Sequence, residues 1–247
     1  MTRTASAWQT PHERRLLLAL GWAIASATAF AHIAEDYLTN DPLARWDIRF
    51  AHWLAVHRTV AGTDALRVLT NLGSPMTALA ISTVVFVVLY RRRLLLDALL
   101  LPVVLAGVEL LNVILKLSFH RARPEVAFVH LDTYSFPSGH AMVSTAAYGA
   151  LAYLAWSRMP TWRARIALLL GTTSLLALIC FSRLYLGVHY LSDVLAGAAG
   201  GVFWLAVSVA LVTVFGDGVV ARLDGSRLDR LGRRLTRSGQ AQAATRM

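Results

Sequence analysis

The sequence predicts an all-α, polytopic membrane protein organised as a bundle of six transmembrane helices. Hydrophobic residues make up 56% of the 247 residues and charged residues only 15%, with a mean hydropathy of +0.54. Soluble domains are less apolar than this. A membrane-spanning helix needs about 20 mainly apolar residues. Six segments approach or exceed that length: 15–34, 75–90, 94–117, 140–157, 164–181 and 189–215.

The organisation along the chain predicts a single membrane domain over residues 1–247. Its polar motifs fall within a core over 94–215, and no repeat or low-complexity linker separates a second domain. The tail over 216–247 is rich in Arg, and we expect it on the inner leaflet without a part in the chemistry.

The basic residues predict the orientation. Sixteen of the 24 Lys and Arg residues fall at the N-terminus, after the second and fourth segments, and in the tail. Since cytoplasmic loops carry excess Lys and Arg, both termini are expected in the cytoplasm. Orientation and attraction to anionic membrane lipids account for the net charge of +10. No aromatic-interleaved basic patch indicates a nucleic acid partner, and no pattern predicts an oligomeric state.

Residues 35–74, between the first two segments, are expected at the outer face of the membrane. Five apolar residues recur there at helical spacing: Leu43, Trp46, Phe50, Trp53 and Leu54. Asp47 and other polar residues lie between them, which predicts an amphipathic helix at the bilayer surface. This helix either shapes a lateral entrance for lipid or caps the bundle, and the sequence leaves both open.

Three short stretches carry nearly all the polar chemistry. The first runs from Lys116, at the end of an apolar segment, to Arg123 and Pro124. Pro124 biases Arg123 away from helical geometry, so the chain is expected to turn and bring the guanidinium back beside Lys116. Two cations so placed suit an oxyanion. His120 and Arg121 have no place in this pattern, and we expect them at the rim.

The second stretch, Pro137-Ser138-Gly139-His140, lies where a loop becomes the fourth apolar segment. Ser138 is a good helix N-cap, and Gly139 lets the backbone approach a ligand closely. The free N–H groups of a helix start can receive phosphate oxygens. His140 adds a titratable group at the membrane face where the other motifs converge.

The third stretch contains Arg183, His189 and Asp193. His189 and Asp193 are four residues apart, so on a helix they share one face. Asp193 then accepts from one ring nitrogen of His189, and the other nitrogen presents its lone pair to phosphorus. Arg183 is a third cation. A metal also suits His and Asp, but no further cluster completes a ligand set, so we expect neither a metal nor a cofactor.

Together the stretches resemble the three-part signature of the type 2 phosphatidic acid phosphatase (PAP2) superfamily. Lys-x6-Arg-Pro, Pro-Ser-Gly-His and Ser-Arg-x5-His-x3-Asp are all present, in this order, between residues 116 and 193. The superfamily includes membrane lipid phosphatases, glucose-6-phosphatase and vanadium haloperoxidases. The six-segment layout extends the resemblance over most of the chain.

The resemblance implies a role for each matching position. His189 is the nucleophile that forms a phosphohistidine, Asp193 orients it, and His140 protonates the leaving oxygen. The phosphoryl group is held without a metal by five residues: Lys116, Arg123, Ser138, Gly139 and Arg183. No motif position departs from the pattern.

These observations predict a metal-independent membrane phosphatase with its active site on the extracytoplasmic side of the cell membrane. A site beside the outer leaflet suits a lipid phosphate or a polyprenyl pyrophosphate, such as undecaprenyl pyrophosphate. Phosphatidylglycerol phosphate and phosphatidic acid remain open as substrates.

Two other classes stay open. A phosphotransferase would pass the phosphoryl group from His189 to an acceptor alcohol. A transporter without enzymatic activity would carry polar residues throughout its spans, whereas Glu109 and Asn112 are among the few mid-span polar residues outside the motifs. Both precede Lys116 in one segment, and we expect them to support it.

Overall fold

The computed structural model of the chain describes residues 10–39, 42–129 and 131–244, with side chains described to residue 222. All its extended regular elements are α-helices: α1 (Pro11–Thr39), α2 (Pro42–Val56), α3 (Val60–Thr70), α4 (Pro75–Arg91), α5 (Leu95–Phe119), α6 (Gly139–Trp156), α7 (Trp162–Tyr185) and α8 (Leu191–Ala244). A short 3-10 turn, Asn71–Gly73, connects α3 to α4. The ends of the predicted domain, 1–9 and 245–247, lie outside the described residues.

The all-α membrane fold is confirmed, while the count of six spans stays a prediction. Each predicted segment corresponds to one long helix, namely α1 or one of α4 to α8. Within the described residues, α1, α5, α7 and the first part of α8 are each long and apolar enough to cross a membrane. Helices α3 and α4 meet this test as a pair bent by 46°. Helix α6, with 18 residues, is slightly shorter than the apolar thickness of about 30 Å.

Local sequence explains several helix boundaries. Ser74 caps α4 by accepting from the N–H of Thr77, and Pro75 occupies the first turn, where its missing N–H costs no helical hydrogen bond. Thr161 caps α7 in the same way. Helix α5 ends at His120, whose φ of 49° is left-handed and stops the helix. The chain then enters the long loop that carries the first motif.

Helix α6 lies at the centre of the bundle, packed against α4, α5, α7 and α8. Ten of its 18 residues are buried. Two glycines of α8 allow the close approach, because a Cβ at Gly197 would lie 2.5 Å from the carbonyl oxygen of Ser138, and one at Gly201 equally close to that of Met142. Small residues four apart are typical of tight packing between membrane helices. The start of α8 is therefore held beside the start of α6.

Helix α2 differs from the expected surface helix in what it buries. Its buried residues are Ala44, Asp47, Ala51 and Leu54. The indole rings of Trp46 and Trp53 are instead more than half exposed. The amphipathic surface helix therefore stays a prediction, and the face that α2 buries is made of small residues, one leucine and one carboxylate. Asp47 lies on that face because it has partners within the bundle.

Helix α8 continues well beyond the predicted end of its span. It runs without a break to Ala244, so the tail predicted to begin at residue 216 starts as a continuation of the helix. Helix α1 packs along α8. The position of the tail on the inner leaflet stays a prediction.

Candidate active site

The polar motifs meet where α5 ends, α6 begins and the turn from α7 to α8 passes. Lys116 donates to the carbonyl oxygen of Tyr134, in the loop that leads to α6. Arg123 binds the same loop, donating to the carbonyl oxygen of Thr133 at 2.8 Å and to its hydroxyl at 2.7 Å. It also donates to the carbonyl oxygen of Val188 at 2.7 Å. The first motif is thereby joined to the third.

His189 lies in the turn between α7 and α8, and only 3% of it is exposed. Gly187 has a φ of 67°, a left-handed conformation that glycine adopts readily and that lets the chain turn before His189. A Cβ at Gly187 would also clash with the guanidinium of Arg58. Arg58 donates to the carbonyl oxygens of Tyr185 and Val126, and so holds this turn against the first-motif loop.

Asp193, in the first turn of α8, is fully buried beside His189. Its Oδ2 lies 3.3 Å from Nδ1 of His189 and accepts from the backbone N–H of Tyr190 at 2.8 Å. Its Oδ1 accepts from Arg121 at 2.7 Å. Both oxygens are therefore engaged, and the plane of the carboxylate is fixed.

The tautomer of His189 follows from its partners. Nη1 of Arg123 lies 3.3 Å from Nε2 of His189, and a guanidinium can only donate. Nε2 is therefore the acceptor, and the ring proton is on Nδ1, facing Asp193. Burial, together with the positive charges of Arg183, Arg123 and Lys116, holds the pKa of His189 well below its usual value. These effects favour the neutral imidazole, in which Nε2 carries the lone pair.

Several polar atoms around this imidazole lack partners among the described residues. Two of them can donate, Oγ of Ser138 and Nε of Arg183. Arg183 is 7% exposed and donates from Nη1 to the hydroxyl of Thr70 at 3.0 Å. Buried polar atoms are normally hydrogen-bonded, so these groups, with Lys116 and Arg123 near them, suit an anionic ligand.

Ser138 and Gly139 differ in detail from the expectation. Ser138 is at the N-cap position of α6, but its side chain makes no capping hydrogen bond. Its backbone N–H donates instead to the carbonyl oxygen of Asp193. Gly139 lies against the side chain of Asn112, whose Nδ2 would be 3.0 Å from a Cβ there. Asn112, predicted to support Lys116, thus lies at the start of α6.

His140 faces the same region from the first turn of α6. It interacts electrostatically with His189 and with all three motif cations. Its ring packs near Gly73 in the turn between α3 and α4, where a Cβ would be 3.5 Å from Cδ2. Residues from the first half of the chain therefore line the site, which the motifs did not indicate.

Arg121 is not at the rim as predicted. It is 7% exposed and lies between Asp193 and Asp47, with Nη2 2.8 Å from Oδ2 of Asp47. After the left-handed turn at His120, the two arginines bind different partners: Arg121 binds Asp47 and Asp193, whereas Arg123 binds the carbonyl oxygens of Thr133 and Val188. His120 itself is exposed, with its ring against Tyr134. No signal in the sequence indicates the pairing of Arg121 with Asp47, because Asp47 lies among the polar residues of its helix.

The region of the chain that contains these residues matches a known protein family. Residues 97–216 match the family model described as the PAP2 superfamily, and through this region the chain belongs to that superfamily.

Two proteins similar to this chain come from Bacillus subtilis. One, from strain 168, is named phosphatidylglycerophosphatase B; it is 33% identical over 137 residues, which are 54% of this chain and 66% of the relative. The other is a crystal structure described as the first transmembrane PAP2-type phosphatidylglycerolphosphate phosphatase. It has a TM-score of 0.70 and 27% identity, and the match covers 80% of this chain and 96% of that one.

Proposed function

We propose that this protein is an integral membrane phosphatase that hydrolyses a lipid phosphate through a phosphohistidine on His189. The observation that carries this proposal is the arrangement around His189, whose Nδ1 faces Asp193 and whose neighbours include three cations. A neutral imidazole with a free lone pair is a competent nucleophile toward phosphorus. The cations are placed to stabilise the negative charge of the phosphoryl oxygens.

The reaction has two displacements. Nε2 of His189 attacks phosphorus in line and forms an N–P bond, while the bond from phosphorus to the leaving oxygen breaks. His140 gives a proton to that oxygen. Burial and the neighbouring cations favour its neutral form, so the step requires the negative charge of the bound phosphoryl group to favour the imidazolium. Water then attacks the phosphohistidine and gives a proton to His140, and the N–P bond breaks to release phosphate. Lys116, Arg123, Arg183, Ser138 and the backbone at Gly139 hold the phosphoryl oxygens in both steps.

The site requires no divalent cation in this mechanism. A metal in phosphoryl transfer supplies positive charge to the phosphoryl oxygens and orients them. Here Lys116, Arg123 and Arg183 supply that charge, and guanidinium groups bind two phosphoryl oxygens at once.

Phosphatidylglycerol phosphate is the substrate that we favour, because both similar proteins are named for it. A mainly apolar cavity of about 440 Å³ lies between α4 and α5. On α5 it is lined by residues between 101 and 109, which precede Lys116 on the same helix. It is lined by Pro75, Leu79, Phe86, Leu105 and others, and it suits an acyl chain. Phosphatidic acid and undecaprenyl pyrophosphate share the phosphate and the apolar tail, and they are tested beside it.

The orientation is proposed from the distribution of basic residues. Both termini are placed in the cytoplasm and the site at the outer face of the cell membrane. In this orientation the phosphate of an outer-leaflet lipid lies level with the C-terminal end of α5 and the first turn of α8.

The test is release of inorganic phosphate by purified protein in detergent from a panel of these three lipids, with no acceptor alcohol added. We expect the highest kcat/KM on phosphatidylglycerol phosphate and no release by His189→Ala. A parallel assay contains glycerol as an acceptor alcohol. Transfer of phosphate to glycerol there, without release of phosphate in its absence, would identify a phosphotransferase. A folded protein that releases phosphate from none of the panel would overturn the proposal.

A further inference from the structure

A cluster of buried charges lies on the side of Asp193 away from His189. Asp47 comes from α2, Arg121 from the loop after α5, and Asp193 from α8. Arg121 donates from Nη2 to Asp47 at 2.8 Å and from Nη1 to Asp193 at 2.7 Å. Both carboxylates are fully buried, so water does not screen these interactions. One guanidinium thus links two carboxylates that are far apart in the sequence.

Arg121 is held on every side. Its guanidinium carbon lies 4.5 Å from the ring centre of Tyr37 and 4.3 Å from that of Tyr190, so two aromatic rings contact the guanidinium. Nη1 also donates to the hydroxyl of Ser192 at 2.6 Å. A guanidinium fixed in this way fixes Oδ1 of Asp193.

Asp47 holds the other end of the cluster and the start of α8 together. Its Oδ1 accepts from the backbone N–H of Ser192 at 2.9 Å, and its Oδ2 accepts from the hydroxyl of Ser192. The first N–H groups of a helix have no partner within the helix, and a carboxylate from α2 supplies one here. Asp47 therefore binds both Arg121 and the helix turn that contains Asp193.

We propose that Asp47 and Arg121 are positioning residues for the catalytic pair, an assignment that rests on the proposed function. Oδ2 of Asp193 orients His189, and its direction depends on how Oδ1 is held. The ion pair with Arg121 favours the charged form of Asp193, and a carboxylate at this position attracts the Nδ1 proton of His189. Neither Asp47 nor Arg121 donates to or accepts from Lys116, Arg123 or Arg183 in the described structure. Their effect should fall on turnover rather than on anion binding.

The test compares Asp47→Asn with Arg49→Gln, which removes an exposed charge from the same helix. Asp47→Asn keeps the shape of the side chain but weakens its hold on Arg121. We expect its kcat to fall roughly 10-fold, by analogy with other groups that orient a catalytic histidine. Its KM and the inhibition constant of orthovanadate should stay within about twofold of the unchanged protein, because the anion pocket is intact. Arg49→Gln should match the unchanged protein in all three.

Ser192→Ala is the second variant, in case Asp47→Asn does not fold. It removes the hydroxyl that joins Arg121 to Asp47 but keeps the backbone N–H bond, and we expect a smaller loss of kcat with the same KM. An unchanged kcat in the folded variants would overturn the proposal. So would a parallel loss of vanadate affinity, which would indicate general distortion of the pocket. In either case the proposed function would still be supported if the wild-type protein is active and His189→Ala is inactive.

Discussion

The backbone N–H of Ser138 donates to the carbonyl oxygen of Asp193 over 2.9 Å. Ser138 is two residues before His140, and Asp193 is four residues after His189. This hydrogen bond therefore joins the helix start that carries the proposed proton donor to the helix turn that orients the proposed nucleophile. Because both groups belong to the backbone, the link does not depend on the side chain at either position.

The first prediction concerns the catalytic pair. His189→Ala should abolish phosphate release, because it deletes the nucleophile. Asp193→Asn should lower kcat by about 10³-fold or more, since an amide in place of the carboxylate no longer fixes the tautomer. Steady-state phosphate release in detergent measures both, with melting temperature as the check on folding. Near-normal turnover by His189→Ala would contradict a phosphohistidine.

The second prediction is that activity persists in excess EDTA. Lys116, Arg123 and Arg183 supply the positive charge, so removing divalent ions should change the rate less than twofold. Orthovanadate should inhibit, because it adopts the five-coordinate geometry of phosphoryl transfer. Arg183→Gln should weaken vanadate inhibition more than Arg49→Gln, an exposed change far from these cations in the sequence. Activity lost in EDTA and restored by Mg²⁺ would refute this assignment of the charge.

The third prediction separates leaving-group protonation from phosphate binding at His140. An alkyl phosphate needs a proton on its leaving oxygen, whereas p-nitrophenol leaves readily without one. His140→Ala should therefore retain relatively more activity on p-nitrophenyl phosphate than on an alkyl phosphate. The ratio of kcat/KM for the two substrates is the measurement. Equal losses would assign His140 to anion binding or to the water step.

The fourth prediction tests the packing that sets the site. Gly197→Ala places a methyl group 2.5 Å from the carbonyl oxygen of Ser138, so α8 and α6 must separate. Overpacking of this kind costs about 1–3 kcal/mol. We expect a lower melting temperature and at least a fivefold loss of kcat. Gly171→Ala in α7 is the control, because a Cβ there meets nothing within 4 Å; an equal effect of both changes would contradict this account.

The fifth prediction is sidedness. In a Cys180→Ala background, Asp132→Cys lies in the loop before α6 and Arg163→Cys lies at the start of α7, and both positions are exposed. A membrane-impermeant maleimide applied to intact cells should label position 132 and spare 163. The opposite result would place the site in the cytoplasm and remove the argument for an outer-leaflet substrate.

The helices and the motifs could be predicted because both are local patterns. Apolar segments of about 20 residues indicate membrane helices whatever surrounds them, and the motif spacings are short. The count of spans does not follow from length and composition alone, because α6 is short and rich in small residues that pack against other helices rather than face lipid. Contacts inside one stretch, such as Arg123 with the nearby Thr133, need only a loop that folds back.

The rest of the site depends on contacts between residues far apart in the sequence. Asp47 meets Ser192 across 145 residues, and Arg183 meets Thr70 across 113. A single sequence carries no signal for such pairs. Asp47 even resembled a solvent-facing residue, because its helix alternates charged and apolar side chains. Its partner Arg121 was expected at the rim for the same reason, because its two acidic partners lie 72 and 74 residues away in the chain.

The hydrogen bond between Arg183 and Thr70 shows that the site depends on residues outside the region matched by the family model. The family model begins at residue 97, whereas Thr70, Asp47 and Tyr37 all lie before it and contact the charged residues of the site. A fragment cut at the family boundary would retain every motif residue and lose the groups that hold two of its arginines. Transplanting the motif helices into another scaffold would therefore require carrying over the parts of α1 to α3 that contain these three residues.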